Sequence, residues 1–193
     1  MLSISVYDVD NKTMVPIDVN GSMWITTDGS NYGSSIYVQT NSSGYLNHDF
    51  DPNCTYSVGG QYWIGGVSND ECYVDTNISN PEYLEVIGQL KNYLEIPTYQ
   101  TFYVTEPVPI SFTTYSDCKD VPERSDENPV INASDFSIEI YHPNEGWINC
   151  SSQNLYNGSY NCTFDSTGHE EGNWSIRFYS TKSYFNSLSL IHI

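Results

Sequence analysis

Gly44-Tyr45-Leu46-Asn47-His48-Asp49-Phe50-Asp51 and Gly158-Ser159-Tyr160-Asn161-Cys162-Thr163-Phe164-Asp165 fit one pattern, G-x-x-N-x-x-F-D. Each is followed, after a short polar connection, by a glycine and an aromatic stretch. These are Gly60-Gln61-Tyr62-Trp63-Ile64 in the first case and Gly172-Asn173-Trp174-Ser175-Ile176 in the second. Two pieces that align in the same order mark an internal repeat. Their spacing is about one β-sandwich with its linker, on the order of 100 residues.

The chain around the repeat reads as strands throughout. It holds 17 Tyr, 7 Phe and 4 Trp but only 6 Lys plus Arg, a composition poor in helix formers and rich in residues that suit a pleated sheet. Alternation predicts strands over residues 2–7, 22–27, 35–40, 44–50, 56–67, 72–75 and 83–87 in the first copy. In the second it predicts 93–96, 101–104, 108–115, 135–141, 146–151, 159–164 and 173–179. Asp28-Gly29, Ser43-Gly44, Asn157-Gly158 and Thr167-Gly168 supply turns between them. Tyr83–Ile87 ends at Gly88 and reads as a closing strand, so the domain boundary is expected there: residues 1–88 form one sandwich and 89–187 a second.

Thr40-Asn41-Ser42-Ser43-Gly44-Tyr45, Asn157-Gly158-Ser159-Tyr160-Asn161-Cys162-Thr163 and Gly172-Asn173-Trp174-Ser175-Ile176 resemble the bacterial-type immunoglobulin-like repeats of large prokaryotic surface proteins, invasin-like and archaeal. The resemblance implies an all-β chain of two tandem immunoglobulin-like sandwiches. It also implies a stalk, spacer or adhesive arm whose partners are neighbouring domains of a long chain and cell-surface glycans or proteins. No final strand is recognised in the second copy, which is therefore expected to be cut short.

Formal net charge is −18, which repels phosphate backbones and excludes nucleic acid as a natural partner. Ten Asn-X-Ser/Thr sequons, at Asn11, Asn20, Asn41, Asn53, Asn77, Asn132, Asn149, Asn157, Asn161 and Asn173, predict a glycosylated, extracellular exterior. Three of the five Cys lie inside sequons: Cys54, Cys150 and Cys162. On a strand such a Cys faces inward while the flanking Asn and Ser or Thr face solvent. Cys150 and Cys162 flank an expected hairpin centred near Leu155-Tyr156 and are expected to pair across it. Cys54 and Cys72 bracket the Trp63 strand as a second pair. Cys118 is left over, with Cys150 or Cys162 as alternative partners, and spacing alone decides no connectivity.

The ends of the chain read differently from its body. Met1–Asn11 lacks the basic and apolar regions of an export signal, and no stretch reaches the roughly 18 apolar residues of a membrane span. An exported composition without that signal predicts a natural chain that begins upstream. Residues 188–193, LSLIHI, have the sequence that one frame of a transposon-end sequencing adapter encodes, and are read as adapter read-through.

Candidate chemistry is sparse. Asp8-Val9-Asp10-Asn11 and residues 117–127 (DCKDVPERSDE) are carboxylate-rich and are the candidates for calcium, and no other cofactor is expected. Lys119 and Arg124 neutralise the second of these from within. No G-x-S-x-G turn is present, the four His (His48, His142, His169, His192) stand apart in sequence, and no catalytic residue is assigned. Tyr62 and Trp63 are candidates for sugar stacking, and coplanar rings on one solvent face would be the sign of it. The expected function is a non-catalytic extracellular spacer or adhesion segment. The alternatives are a carbohydrate-binding module and an accessory domain of a secreted hydrolase.

Overall fold

The computed structural model describes residues 1–97, 100–118 and 132–192. It is an all-β fold in which the chain divides into two compact units, Met1–Val86 and Ile87–Ile193. The first unit contains β1 (Leu2–Ser5), β2 (Tyr7–Asp8), β3 (Thr13–Met14), β4 (Asn20–Ile25), β5 (Ile36–Gln39), β6 (Tyr45–His48), β7 (Gly59–Val67), β8 (Thr76–Asn77) and β9 (Glu82–Val86). The second contains β10 (Gly88–Ile96), β11 (Pro107–Ser116), β12 (Asp135–His142), β13 (Gly146–Cys150), β14 (Gln153–Asn154), β15 (Ser159–Asp165), β16 (Ser175–Thr181), β17 (Phe185–Asn186) and β18 (Leu188–His192).

The second unit is a sandwich of two sheets, ordered β14-β15-β11-β10-β17 and β13-β12-β16-β18. Alternate residues of both sheets face the interior. Phe112 and Tyr160 come from one sheet and Ile138, Ile140 and Phe178 from the other. The Phe112 ring stacks on Tyr160 at 4.8 Å and on Phe178 at 4.5 Å, so aromatic contact runs through the thickness of the sandwich. Each such ring contributes about 1.5–3 kcal/mol through burial. The Tyr160 hydroxyl, fully buried, accepts a hydrogen bond from the Ala133 backbone N–H at 2.6 Å.

In the first unit, β5-β4-β7 forms a sheet extended by β8 and β9, both paired to β7, while β1 and β6 form a smaller ladder. Met23, Ile25 and Trp63 of the larger sheet pack with Leu46 and Ile4 of the smaller one. Gly65 permits this closeness, since a Cβ there would lie 2.9 Å from Ile4 Cδ1. A Cβ at Gly66 would lie 1.9 Å from the Thr76 carbonyl oxygen, so β8 can pair there only against a glycine.

The two units share a pairing scheme. β1 pairs with β6 as β11 pairs with β15, and β4 pairs with β5 and β7 as β12 pairs with β13 and β16. β7 pairs with β9 as β16 pairs with β18. The registers correspond too, Ile4 lying opposite Leu46 as Phe112 lies opposite Tyr160. The first half of the G-x-x-N-x-x-F-D pattern has the same geometry in both copies, although β6 ends at His48 and β15 runs on to Asp165. Gly44 and Gly158 have φ of 76° and 75°, a conformation costly for any residue with a Cβ. Leu46 and Tyr160, two residues later, are fully buried.

The second aligned piece is one residue out of phase. The sequence sets Tyr62 beside Trp174 and Trp63 beside Ser175. In the structure Trp63 faces inward at 8% exposure, whereas on β16 Ile176 and Phe178 are buried and Trp174, just before the strand, packs against the same core. A slip of one residue exchanges the faces of a strand, and only tertiary packing fixes which face is buried.

Three strand expectations are corrected. Residues 72–75 form a loop, in which the Asp70 carboxylate accepts the Cys72 and Tyr73 N–H groups at 2.9 and 3.2 Å, and the strand follows at β8. Residues 101–104 are not in a strand. The second sandwich, expected to stop before its last strand, is closed by β18, which pairs with β16 from Ser180↔Leu188 to Ile176↔His192. The segment read as an adapter product therefore forms an edge strand. The β16 edge offers it an unpaired row of backbone donors and acceptors.

Candidate functional site

The cysteines sort differently from their sequence spacing. Cys150 and Cys162 form a disulfide with Cα atoms 6.0 Å apart. It is not a cross-strand link within a hairpin. Cys150 ends β13 in one sheet and Cys162 lies on β15 in the other, so the bond ties the two sheets together. The Cys54–Cys72 pair is not formed: Cys72 is a free, exposed thiol, and Cys54 is disulfide-bonded elsewhere. The loop geometry around Asp70 explains this, because it turns Cys72 outward instead of placing it on a strand. Since Cys150 and Cys162 bond to each other, neither is the partner of Cys118.

Asn149 and Thr163 are exposed beside buried Cys150 and Cys162, the alternation a strand requires. Asn53-Cys54-Thr55 is not on a strand. It is a turn in which Asn53 Oδ1 accepts the Thr55 N–H at 2.9 Å and its hydroxyl at 2.6 Å. Asn11, Asn41, Asn53, Asn77, Asn132, Asn149, Asn157 and Asn173 are exposed, and Asn20 and Asn161 are half-buried. The Asn20 side chain makes three hydrogen bonds: its Nδ2 donates to the Asn69 carbonyl, and its Oδ1 accepts from Tyr37 Oη at 2.6 Å and Gln39 Nε2 at 3.1 Å.

The candidate sugar-stacking pair separates. Trp63 is core, while Tyr62 is 43% exposed on the outer face of β7. Its ring partner is Tyr83, directly opposite on β9 and 53% exposed. The two rings meet at 68° with centroids 5.8 Å apart, edge to face rather than coplanar. The second unit carries comparable outer-face pairs. Tyr141 contacts Trp147 across β12 and β13, and the Arg177 guanidinium lies 4.1 Å from the Trp147 ring while bonding Glu139. These are cross-strand pairs of the kind that stabilise a sheet.

One constellation was illegible in the sequence. His142 and His169 come together at one end of the second sandwich. His169 Nδ1 lies 2.5 Å from Glu145 Oε2, and the other oxygen of Glu145 accepts the Glu170 N–H at 2.6 Å. Buried His142 stacks against Trp174 at 4.8 Å, and Trp174 in turn packs on Phe164. The Asn144 amide donates to Glu170 Oε2 at 2.5 Å. Together these contacts hold the β12–β13 turn against the β15–β16 connection. The Glu170 N–H, and then His169, hold the Glu145 carboxyl below the usual glutamate range.

The acidic segments are likewise structural where they are described. Asp8 Oδ1 accepts the Asp10 and Asn11 N–H groups at 3.0 and 2.9 Å, and Asn11 then holds the carboxyl below its ordinary value. Residues 119–127 of the second segment, with Lys119 and Arg124, lie outside the described residues. Among the described residues no group of three or more His, Cys, Asp or Glu is placed to hold a metal, and no helix is long and apolar enough to cross a membrane.

A groove of about 770 Å³ lies in the first unit, between β1 and β9. Leu2, Ile4, Phe50, Trp63 and Leu84 line it, and exposed Glu82 and Glu85 stand at its rim.

No family model matches the chain, and no curated protein matches it. Among solved structures, it is similar to the crystal structure of a tetra-tandem repeat in the extending region of a large adhesion protein, with a TM-score of 0.41 and 15% identity. The match covers 93% of this chain and 42% of that one, so the chain spans less than half its length. A likeness at that level specifies neither family nor function.

Proposed function

We propose that the chain is a non-catalytic extracellular spacer or adhesion segment, built of two immunoglobulin-like sandwiches in tandem. The observation that carries this reading is the shared pairing scheme: one arrangement of strands used twice in succession. The order in the second unit supports the immunoglobulin-like type. Lettered along the chain, β10, β11, β15 and β14 correspond to A, B, E and D of one sheet. β13, β12, β16 and β18 correspond to C′, C, F and G of the other. A cross-sheet disulfide, a net charge of −18 and sequon asparagines on the surface suit a chain that stays folded and soluble outside a cell. Its role is mechanical, holding neighbouring domains of a longer chain apart and away from the cell.

The test is protease shaving of intact source cells, followed by glycopeptide mapping. Release of peptides from both units, with glycans on exposed asparagines such as Asn157 and Asn173, is expected. Recovery solely from the cytosolic fraction, without glycans, would overturn the reading. The carbohydrate-module alternative needs coplanar exposed rings, and Tyr62 and Tyr83 are not coplanar. Binding on a glycan array that is lost in Tyr62→Ala would revive it.

A further inference from the structure

The pairing schemes of the two units differ on one side of β1. In the second unit β11 has a strand on each side, β15 and β10. Its counterpart β1 pairs with β6 alone among the described residues. The groove of about 770 Å³ lies along the other edge of β1, and core residues Trp63 and Phe50 show at its base. The backbone there is ready to pair. Val6 directs its N–H to Gly44 on the β6 side, and alternate residues of a strand direct their backbone groups to opposite neighbours. Ser3 and Ser5 therefore turn their N–H and C=O groups toward the groove.

The second unit shows what belongs in that position. β10 runs antiparallel to β11, with Leu94 opposite Phe112, the counterpart of Ile4. Leu90 is fully buried, and Leu94 packs against the core. The side-chain oxygen of Asn92 accepts hydrogen bonds from Thr114 of its own sheet and Ser180 of the facing one. β10 thus completes its sheet and covers the side of the sandwich.

We propose that the groove between β1 and β9 accepts an extended polypeptide strand added antiparallel to β1. The strand carries apolar side chains at alternate positions and a lysine or arginine to meet Glu82 and Glu85. Main-chain hydrogen bonds to Ser3 and Ser5 supply affinity, and the apolar pockets over Trp63 and Phe50 supply register. The sequence of β10 itself, GQLKNYLEI, has this chemistry. The proposal stands on the comparison of the two units and does not depend on the surface role.

The experiment uses the full chain and a fluorescein-labelled peptide of sequence GQLKNYLEI, with a scrambled peptide as control. Binding should slow amide exchange at Ser3 and Ser5 by at least about tenfold. Ser5→Pro removes a groove-facing N–H and leaves the β1–β6 ladder intact, and it should weaken binding by at least about tenfold, as should the Glu82→Lys, Glu85→Lys double variant. A peptide with aspartate in place of both leucines should not bind, which keeps the test informative if Ser5→Pro fails to fold. Unchanged exchange at Ser3 and Ser5, or equal binding of the scrambled peptide, would overturn the proposal. Self-association of the chain that Ser5→Pro abolishes would overturn it in favour of a second copy as the occupant.

Discussion

At the scale of single residues, the cross-sheet disulfide and the carboxylate turns dominate. Cys150–Cys162 closes a short loop, a sequence separation of 12, and restricts the unfolded chain accordingly. Replacing both by Ser should cost about 3 kcal/mol, read by urea unfolding. Native alkylation should modify Cys72 while Cys150 and Cys162 are recovered as one cross-linked peptide. Acid sensitivity has a definite sign. Asp8, Asp28, Asp70, Glu145 and Asp165 are all held below their ordinary values, in each case chiefly by hydrogen bonds, several of them from backbone N–H groups. A depressed folded value means that the unfolded state binds more protons. The stability these groups add is present above the unfolded values, about 3.9 for Asp and 4.3 for Glu, and is lost as pH falls below them. Glu145→Gln should flatten the acid limb of the melting-temperature profile. An unchanged slope would show that the Glu145–His169–Glu170 contacts contribute nothing to acid stability.

At the scale of elements, close approach and edges decide. Gly66→Ala drives a Cβ into the Thr76 carbonyl, which is backbone and cannot rotate away. It should cost about 1–3 kcal/mol and release β8, with exchange at Thr76 and Asn77 rising. Deleting residues 188–193 removes β18 and bares the edge of β16. The second unit should then unfold at lower temperature and be cut by protease within β16, while the first unit is unaffected. Retention of the original midpoint would show that β18 adds nothing to the sandwich. β18 was missed in the sequence because an edge strand is specified as much by the open ladder beside it as by its own residues. The longer strands β11, β12, β15 and β16 were legible, because several consecutive alternations sit between turn glycines and asparagines.

At the scale of the molecule, two compact units with separate cores should give two resolvable unfolding events under force. With the Cys150–Cys162 bond intact, the stretch between those residues is hidden from extension. Replacing Cys150 and Cys162 by Ser, which leaves the Cys54 disulfide in place, should lengthen the contour of one event alone by about 40 Å, from the sequence separation of 12 at roughly 3.5 Å per residue. A single merged event, or lengthening of both, would refute independent units.

Sequence by itself determined the all-β class, the internal repeat and most of the strands. These rest on local signals: glycine at a positive φ, alternation of apolar and polar side chains, and a scarcity of helix formers. Only the tertiary structure decided which face of β7 is buried, and so that Trp63 is core and Tyr62 is surface. It alone placed Cys150 and Cys162 in opposite sheets, left Cys72 free, gathered His142 and His169 around Trp174, and opened the groove beside β1. The physical reason is the same in each case. A strand's period is set within a few residues, but its register, its sheet and its neighbours are set by contacts far apart in the chain.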